Sequence, residues 1–288
     1  MLFRSLSESV KSLKLLEVDT SALKPKRPGI SIVGIGCRFP QANSKDLFWE
    51  LLEQGKSSNG PFPQNRKEQH ETFFQLYHPR RFVSGRLCAV NGSYLEEIQN
   101  FDNRFFGISN QEARGMDPQQ RILLEVVYEA IEDAGIRLED LQKCRTGVFV
   151  GVMNLEYGAL VTDTSNYNNI DQFSSTGMTA SILANRVSFC LNFTGPSIAV
   201  DTACSSSLTA LKLACDNLHN GDCDIAIVCS PNIVLNHAMQ MVSSMAGLLA
   251  PDGRCKSFDA SGDGYGRGEG FAAEIGRASC RERVYVLV

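Results

Sequence analysis

Residues 195–215 read GPSIAVDTACSSSLTALKLAC and decide the fold. The first part, Ser197 to Thr202, has the apolar, β-branched character of a buried strand, and the small residues after it indicate a sharp turn. From Ser206 to Leu218 apolar residues recur at helical spacing, which predicts an amphipathic helix. The predicted buried stripe of that helix consists of Leu208, Leu211, Ala214, Cys215 and Leu218. The stretch therefore predicts a strand, a tight turn that contains Cys204, and a helix.

Cys204 is the candidate nucleophile of the chain. A cysteine at a helix N-terminus lies beside free backbone N–H groups and the positive end of the helix dipole, and both favour the thiolate that attacks carbonyl carbon. The small neighbours Ala203 and Ser205 form an elbow through which a bulky acyl group can reach the sulfur. The same N–H groups can face the oxyanion of a tetrahedral intermediate. The residue pattern alone also leaves open a small buried cysteine at a strand end.

Outside this stretch, strands and helices alternate along the chain. We predict a strand over 29–36, a helix from Ser44 to Gln54 and a strand over 147–152. A helix that begins at Asp117-Pro118 is predicted to end at Gly135. Further predicted elements are a helix over 179–187 and a strand over 224–229, while residues 56–95 are predicted to be a long surface excursion. This alternation predicts an α/β layered fold with largely parallel strand pairing.

Composition excludes several classes of function. The chain has 288 residues, 28 of them basic and 32 acidic, and its formal charge is −4. Because no basic block occurs, we expect no nucleic-acid partner and no anionic membrane partner. No apolar run suits a signal peptide or a membrane span, so we predict a cytoplasmic protein whose ten cysteines stay reduced.

Eight motifs share one family pattern, in family order, over about residues 29–273. The chain resembles the β-ketoacyl synthase domain of polyketide synthases and animal-type fatty acid synthases. The motifs are IVGIGCRFP (32–40), FFGIS (105–109), MDPQQRILLE (116–125), NRVS (185–188), GPS (195–197), DTACSSSL (201–208), and DGRCKSFD (252–259) followed by GYGRGEG (264–270).

The resemblance implies a fold, a reaction and partners. It implies the N-terminal part of a thiolase-like layered fold, α-β-α-β-α, that works as a homodimer. It implies that Cys204 takes an acyl group from an acyl carrier protein, and that a malonyl-type thioester loses CO2 and attacks the Cys204 thioester. No cofactor is implied for the condensation, since phosphopantetheine is carried by the carrier protein. A downstream acyltransferase domain is implied in the parent protein, and the product class, fatty acid or polyketide, stays open.

Two parts of the family pattern are missing. The family uses two downstream histidines and a lysine to assist decarboxylation, and the four histidines here, His70, His78, His219 and His237, match neither histidine motif. The charged residues after Ala273 also do not suit a buried strand. We therefore divide the chain into a leader or linker over 1–28, an incomplete synthase portion over 29–273 and a non-native tail over 274–288.

These departures set the expected activity of the chain. Since general acid–base groups are worth about 10²–10⁴-fold, the 288 residues alone are expected to be inactive in condensation. The alternative function is a truncated, non-catalytic product that acts through dimerisation. A related enzyme of the same superfamily, a thiolase or a chalcone-synthase-like enzyme, fits the succession of strand, cysteine and helix. It does not fit the motifs at 117–121 and 201–207.

Three further patterns are weaker. The glycines at 34 and 36 lack the third glycine of a dinucleotide fingerprint, since Phe39 occupies its place. Residues 259–264 begin like a calcium loop, but Gly270 stands where the bidentate glutamate belongs, so a glycine-rich loop that lines the site is favoured.

Cys215, His219 and Cys223 recur at a spacing of four residues, as metal ligands on one helix face can. Gly221 is predicted to end the helix before Cys223, and no fourth ligand is evident. We therefore favour a core cysteine and a helix-end histidine over a metal site.

Overall fold

The computed structural model describes residues 29–278. The predicted leader over 1–28 and residues 279–288 lie outside the described residues. The strands are β1 (Ile30–Arg38), β2 (Gly60–Pro61), β3 (Asn91–Gly92), β4 (Thr146–Gly151), β5 (Ser197–Val200), β6 (Ile225–Asn232) and β7 (Gly270–Ala278). The helices are α1 (Lys45–Glu53), α2 (Lys67–Leu76), α3 (Asn110–Gly115), α4 (Pro118–Asp133), α5 (Leu138–Lys143), α6 (Glu156–Val161), α7 (Ser174–Met178), α8 (Ala180–Cys190), α9 (Ser206–Asn220) and α10 (His237–Met245), with a 3₁₀ turn at Thr164–Asn169. None of these helices is long and apolar enough to cross a membrane.

The central sheet has five strands in the order β1-β7-β6-β4-β5. β4 runs parallel to both β5 and β6, as predicted. β7 runs antiparallel to β1 and to β6, so the prediction of largely parallel pairing is wrong for half of the sheet. The reason is that β7 enters between β1 and β6 from a distant part of the chain, with no crossover helix to set its direction.

Helices cover both faces of the sheet and form an α/β sandwich. α4 and α8 pack on one face and α9 packs on the other. β4 shows why both faces are covered, because its side chains alternate: Val148 and Val150 join the core under α4, while Phe149 joins the core under α9. The parallel end of the sheet is therefore buried on both sides, as parallel strands require.

The buried side of α9 differs from the predicted stripe. Its fully buried residues are Ser206, Ala210, Ala214 and Leu218, whereas Leu208 is 64 % exposed. The helix rests closely on the sheet, so small residues occupy the contact and the larger Leu208 projects away from it. The predicted end of the helix is confirmed, since Gly221 adopts the left-handed conformation with φ of 75°.

The two glycines of β1 serve the packing of the strand. A Cβ at Gly34 would lie 2.3 Å from the carbonyl oxygen of Ala130, and one at Gly36 would lie 2.3 Å from that of Val126. Both carbonyls belong to α4, so only glycine lets β1 approach this helix. This close contact explains the glycines without a nucleotide.

Polar caps define the first long helices as predicted. The Ser44 hydroxyl accepts a hydrogen bond from the Leu47 N–H at 3.2 Å, and Asp117 caps α4. The predicted apolar face of α1 is not buried, however, because Leu47 and Leu52 are about half exposed. No other helix or strand of residues 29–278 covers that face.

Residues 56–95 are not the predicted surface excursion. They contain α2 and a separate core of fully or nearly fully buried side chains: Phe62, Phe73, Leu87, Val90 and Tyr94, with Val234 from the main body. The Phe62 and Phe73 rings stack at 4.3 Å. The segment is therefore a packed subdomain whose apolar residues have no regular period in sequence.

The predicted boundary at residue 273 does not coincide with a break in the fold. β7 continues to Ala278, where it pairs with Ile30, and its Arg277 pairs with both Ser31 and Ile225. The strand tolerates charge because Glu274 is only half-buried and Arg277 is exposed. That residues 274–288 are non-native stays a prediction.

Candidate functional site

Cys204 lies in the turn between β5 and α9, and its side chain is exposed. The residue before it, Ala203, has a φ of 56°, in the left-handed region that costs a non-glycine residue about 1–2 kcal/mol. Backbone strain of this kind persists only where the surroundings fix it, and such positions concentrate at functional sites. The predicted elbow is therefore present, and it is strained at Ala203.

Hydrogen bonds hold this turn from both sides. The Ala203 N–H donates to Asp201 Oδ1 at 2.8 Å. The Ser206 hydroxyl accepts from the Thr202 N–H at 2.9 Å and donates to the Ala203 carbonyl at 2.6 Å. The peptide groups on either side of Ala203 are thus fixed by neighbouring side chains, which orients the Cys204 side chain that follows.

The helix that follows Cys204 has no side-chain cap at its N-terminus. Ser205 occupies the N-cap position, but its hydroxyl donates to the Thr202 carbonyl at 2.8 Å instead of accepting from the helix. Backbone N–H groups in the first turn of α9 are thus left uncapped by this residue. Uncapped N–H groups at a helix start attract negative charge.

Gly151, the last residue of β4, lets the start of α9 reach the sheet. A Cβ at this position would lie 2.5 Å from the carbonyl carbon and oxygen of Ser206 and 2.6 Å from the Ser207 nitrogen. Backbone atoms cannot rotate away as a side chain can. The position of Cys204 therefore depends on a glycine more than fifty residues earlier in the chain.

Gly151→Ala is expected to lower the free energy of unfolding by about 2–3 kcal/mol, because α9 must move away from β4. Urea unfolding followed by circular dichroism measures this change. Gly60→Ala is the matched control, since an added Cβ there meets nothing within 4 Å. Equal effects of the two substitutions on the free energy of unfolding would show that the close contact between Gly151 and α9 does not contribute to stability.

Cys204 lines a cavity of about 320 Å³. Its walls come from the turn itself and from the segments after β4, at the start of α10 and before β7, and they include Met153, Asn154, Asn232, Met239, Tyr265 and Arg267. No histidine of residues 29–278 lines this cavity. His237 is half-buried as the first residue of α10 and also lies outside the lining.

A chain of hydrogen bonds connects this cavity to the start of α4. Gln119 Nε2 donates to Asp117 Oδ2 at 3.1 Å and to the Asn154 carbonyl at 2.9 Å. Asn154 Nδ2 donates to Asn232 Oδ1 at 2.7 Å, and Asn232 Nδ2 donates to the Gly268 carbonyl at 2.5 Å. The network fixes two amide side chains on the cavity wall.

Burial raises the pKa of Asp117 to about 6, although two hydrogen bonds from Gln119 oppose the shift. A carboxyl whose folded pKa exceeds its unfolded value of 3.8 contributes stability below that value, and this contribution is lost as the pH rises through about 6. The folded protein therefore carries a cost at neutral pH when Asp117 ionises.

Asp117→Asn is expected to remove that cost while it keeps a capping oxygen. Relative to the wild type, the variant should gain about 2–3 kcal/mol of unfolding free energy between pH 4 and pH 7.5. Denaturant titrations at both pH values measure the difference. A difference that does not change with pH would show that Asp117 is not the group that titrates.

The other predicted patterns are placed as follows. The loop over 259–264 reaches the cavity only through the residues after it, Tyr265 to Gly268. Asp259 Oδ1 accepts from the Ser261 N–H at 2.8 Å, so an internal turn uses this carboxylate. No group of three His, Cys, Asp or Glu side chains within residues 29–278 is arranged to hold a metal ion.

The sequence reasoning missed Asn154 and Asn232. A signal was present, because Asn154 lies two residues after the predicted strand over 147–152, and Asn232 ends β6, which pairs in parallel with β4. Polar residues at the carboxyl ends of parallel strands commonly face a site.

Comparisons with known proteins agree on one family. The family model "Beta-ketoacyl synthase, N-terminal domain" matches residues 27–275. The chain is 45 % identical over 257 residues to a highly reducing polyketide synthase of Penicillium expansum, covering 88 % of this chain and 10 % of that protein. It is 43 % identical over 247 residues to a phenolphthiocerol/phthiocerol polyketide synthase of Mycobacterium tuberculosis, covering 85 % of this chain and 16 % of that protein.

Solved structures agree with the sequence relatives. The oxazolomycin ketosynthase domain of Streptomyces albus superposes with a TM-score of 0.81 at 37 % identity, over 87 % of this chain and 42 % of that one. A ketosynthase of the bacillaene synthase of Bacillus subtilis gives a TM-score of 0.76 at 34 % identity, over 86 % of this chain and 40 % of that one. The chain thus spans less than half of these domains and less than a fifth of the curated relatives named above.

Proposed function

The chain belongs to the β-ketoacyl synthase family, as a ketosynthase part of a polyketide synthase with the thiolase-like fold, and from this premise we propose that Cys204 is the acyl-accepting nucleophile. The observation that supports the proposal is the position of Cys204. Its exposed side chain lies in a strained turn, at an uncapped helix start and on the wall of a cavity. A merely structural cysteine would be buried and would need none of these features.

The first proposed step is a thioester exchange. The Cys204 thiolate attacks the carbonyl carbon of an acyl thioester on a carrier protein, and a tetrahedral oxyanion forms. Uncapped N–H groups at the start of α9 are placed to stabilise this oxyanion. The carbon–sulfur bond to the carrier then breaks, and the acyl group stays on Cys204. The carrier leaves as a thiol, with the proton that the Cys204 thiol gave up when it formed the thiolate.

The second proposed step is the decarboxylative condensation. A malonyl-type thioester loses CO2, and its carbanion forms a carbon–carbon bond to the acyl carbonyl while the bond to the Cys204 sulfur breaks. The products are a β-ketoacyl thioester on the carrier and a free Cys204 thiolate. Phosphopantetheine enters with the carrier protein, and the condensation itself needs no further cofactor.

We propose the remaining partners for the longer parent protein. They are a second copy of the chain in a homodimer and a downstream acyltransferase domain that supplies the malonyl group, within a cytoplasmic assembly. The 288-residue chain itself is proposed to load Cys204 but not to complete the condensation. The reason is that no histidine of residues 29–278 lines the cavity to assist decarboxylation.

Acyl loading of the full chain tests the proposal. The protein is incubated with the N-acetylcysteamine thioester of hexanoic acid, and the intact mass and the peptide map are read. One hexanoyl group on the peptide that contains Cys204 is expected, with no ketoacyl product when malonyl thioester is added. An unmodified Cys204 would overturn the loading function and favour the non-catalytic, dimerising product instead.

A further inference from the structure

A buried carboxylate lies behind the walls of the Cys204 cavity and has no part in the proposed chemistry. Glu156, the first residue of α6, is 6 % exposed. Its Oε2 accepts hydrogen bonds from the backbone N–H groups of Leu235 and Asn236, both at 2.7 Å. Its Oε1 accepts from the Arg267 guanidinium at 3.2 Å. One carboxylate therefore joins three segments of the chain that are distant in sequence.

Each of these three segments forms a wall of the Cys204 cavity. Glu156 follows Met153 and Asn154, which line the cavity after β4. Leu235 and Asn236 lead directly into α10, whose Met239 lines the cavity. Arg267 lines the cavity itself, in the segment before β7. Glu156 thus fixes the spacing of the walls without lining this cavity.

A second cavity lies next to the first. It has a volume of about 310 Å³, and its walls are mostly apolar, with Leu155, Ala159 and Ala238 among them. Met153, Asn154 and Met239 line both cavities, so they stand at the boundary between the two. Glu156 and Asn236 also line the second cavity, which places their hydrogen bond beside this boundary.

We infer that Glu156 is a positioning residue that holds a passage open at this boundary, between Met153 and Met239, and so determines how well Cys204 accepts long acyl chains. The inference rests on the proposed function of Cys204. Short acyl groups end in the first cavity and need no passage. Longer chains extend through it into the apolar second cavity, where their methylene groups leave water.

The chemistry of the carboxylate predicts which contact a substitution releases. In Glu156→Gln the amide oxygen can keep the hydrogen bonds from Leu235 and Asn236, but the amide nitrogen faces the Arg267 guanidinium as a second donor. The Arg267 guanidinium then loses the carboxylate and keeps its hydrogen bond to Gln240 Oε1 at 3.2 Å, so its wall is held less firmly, while α10 keeps its attachment. Glu156→Asp keeps the charge on a shorter side chain and should restore part of the contact.

Alkylation of Cys204 by iodoacetamide and by N-decyl iodoacetamide tests the inference without any need for acyl transfer. Rates at Cys204 are read by peptide mapping over a range of reagent concentrations, and the saturation constant is separated from the maximal rate. For Glu156→Gln we expect a saturation constant for the decyl reagent that is raised about 10-fold, since small displacements in a site have large effects. The maximal rate and the iodoacetamide rate should stay within about 3-fold of wild type. The decyl saturation constant of Glu156→Asp should lie between those of the wild type and of Glu156→Gln.

Glu139→Gln on the exposed surface of α5 is the matched control and should change nothing. Equal effects of Glu156→Gln on both reagents, or no effect on either, would overturn the positioning role. If Glu156→Gln does not fold, Arg267→Gln removes the same ion pair and decides the question by the same comparison. Hexanoyl loading of the wild type is measured in parallel, so that failure of the proposed function is recognised separately.

Discussion

Glu269→Gln is expected to lower the free energy of unfolding by about 3–5 kcal/mol, the largest stability effect that we expect in this chain. Glu269 and Arg66 form an ion pair whose side chains are 0 % and 1 % exposed. Both Arg66 terminal nitrogens donate to the carboxylate, at 2.6 and 2.7 Å. The same carboxylate accepts from the Leu95 and Val234 N–H groups, both at 2.8 Å. The neutral glutamine side chain in Glu269→Gln leaves the Arg66 charge buried without a counter-charge.

Two comparisons separate this cause from a general loss of packing. Arg137→Gln breaks an exposed ion pair with Asp140 and should leave the free energy of unfolding nearly unchanged, because water screens this pair. Arg66→Met combined with Glu269→Gln removes the unpaired charge and should be less destabilising than Glu269→Gln alone. Urea unfolding followed by circular dichroism gives the values for these variants and for Arg66→Met alone. A double variant as unstable as the sum of its two single variants would contradict the explanation.

Cys204→Ala is expected to abolish acyl loading, with a loss of at least about 10³-fold in rate. Among the nine cysteines of residues 29–278, only Cys204 and Cys255 are exposed. The buried thiols are poor competitors, since burial raises the pKa of Cys223 to about 11 and also raises that of Cys229. Loading is measured by intact mass after incubation with hexanoyl thioester.

Cys255→Ala is the matched control for this prediction. Its sulfur accepts a hydrogen bond from the Gly266 N–H at 3.4 Å, and Gly266 lines the Cys204 cavity. Cys255 is therefore an exposed thiol next to the same site, but it does not lie at a helix start. We expect its substitution to leave loading within about 2-fold of the wild type. Loss of the adduct in Cys255→Ala instead would reassign the nucleophile.

The elements with strong local signals could be predicted from the sequence. α4 begins where Asp117-Pro118 predicts a cap and ends at Asp133, two residues before Gly135. α9 ends at Gly221 as predicted. The turn at Cys204 follows from a strand, a run of small residues and a helix in direct succession. In each case the information lies within a few residues of the feature.

The features that the sequence did not predict depend on distant partners. Arg66 and Glu269 are 203 residues apart, and neither position has a local pattern that predicts burial. The aromatic core at Phe62 and Phe73 forms by packing between irregular segments. Glu156 looks like an ordinary first-turn acidic residue, and only the folded chain brings it to Leu235 and Arg267. Long-range contacts of this kind leave no period in the sequence.

The pairing of β1 with β7 has a consequence for the order in which the protein folds. β1 is at residues 30–38, and its only strand partner in the described sheet is β7 at residues 270–278. During synthesis β1 must therefore wait for its strand partner, packed against α4 and, less extensively, against α1, until residues 270–278 have left the ribosome. Contacts of such high sequence separation form slowly and leave a strand edge open to other chains in the meantime. We expect nascent chains that end before residue 270 to bind chaperones that shield exposed strands.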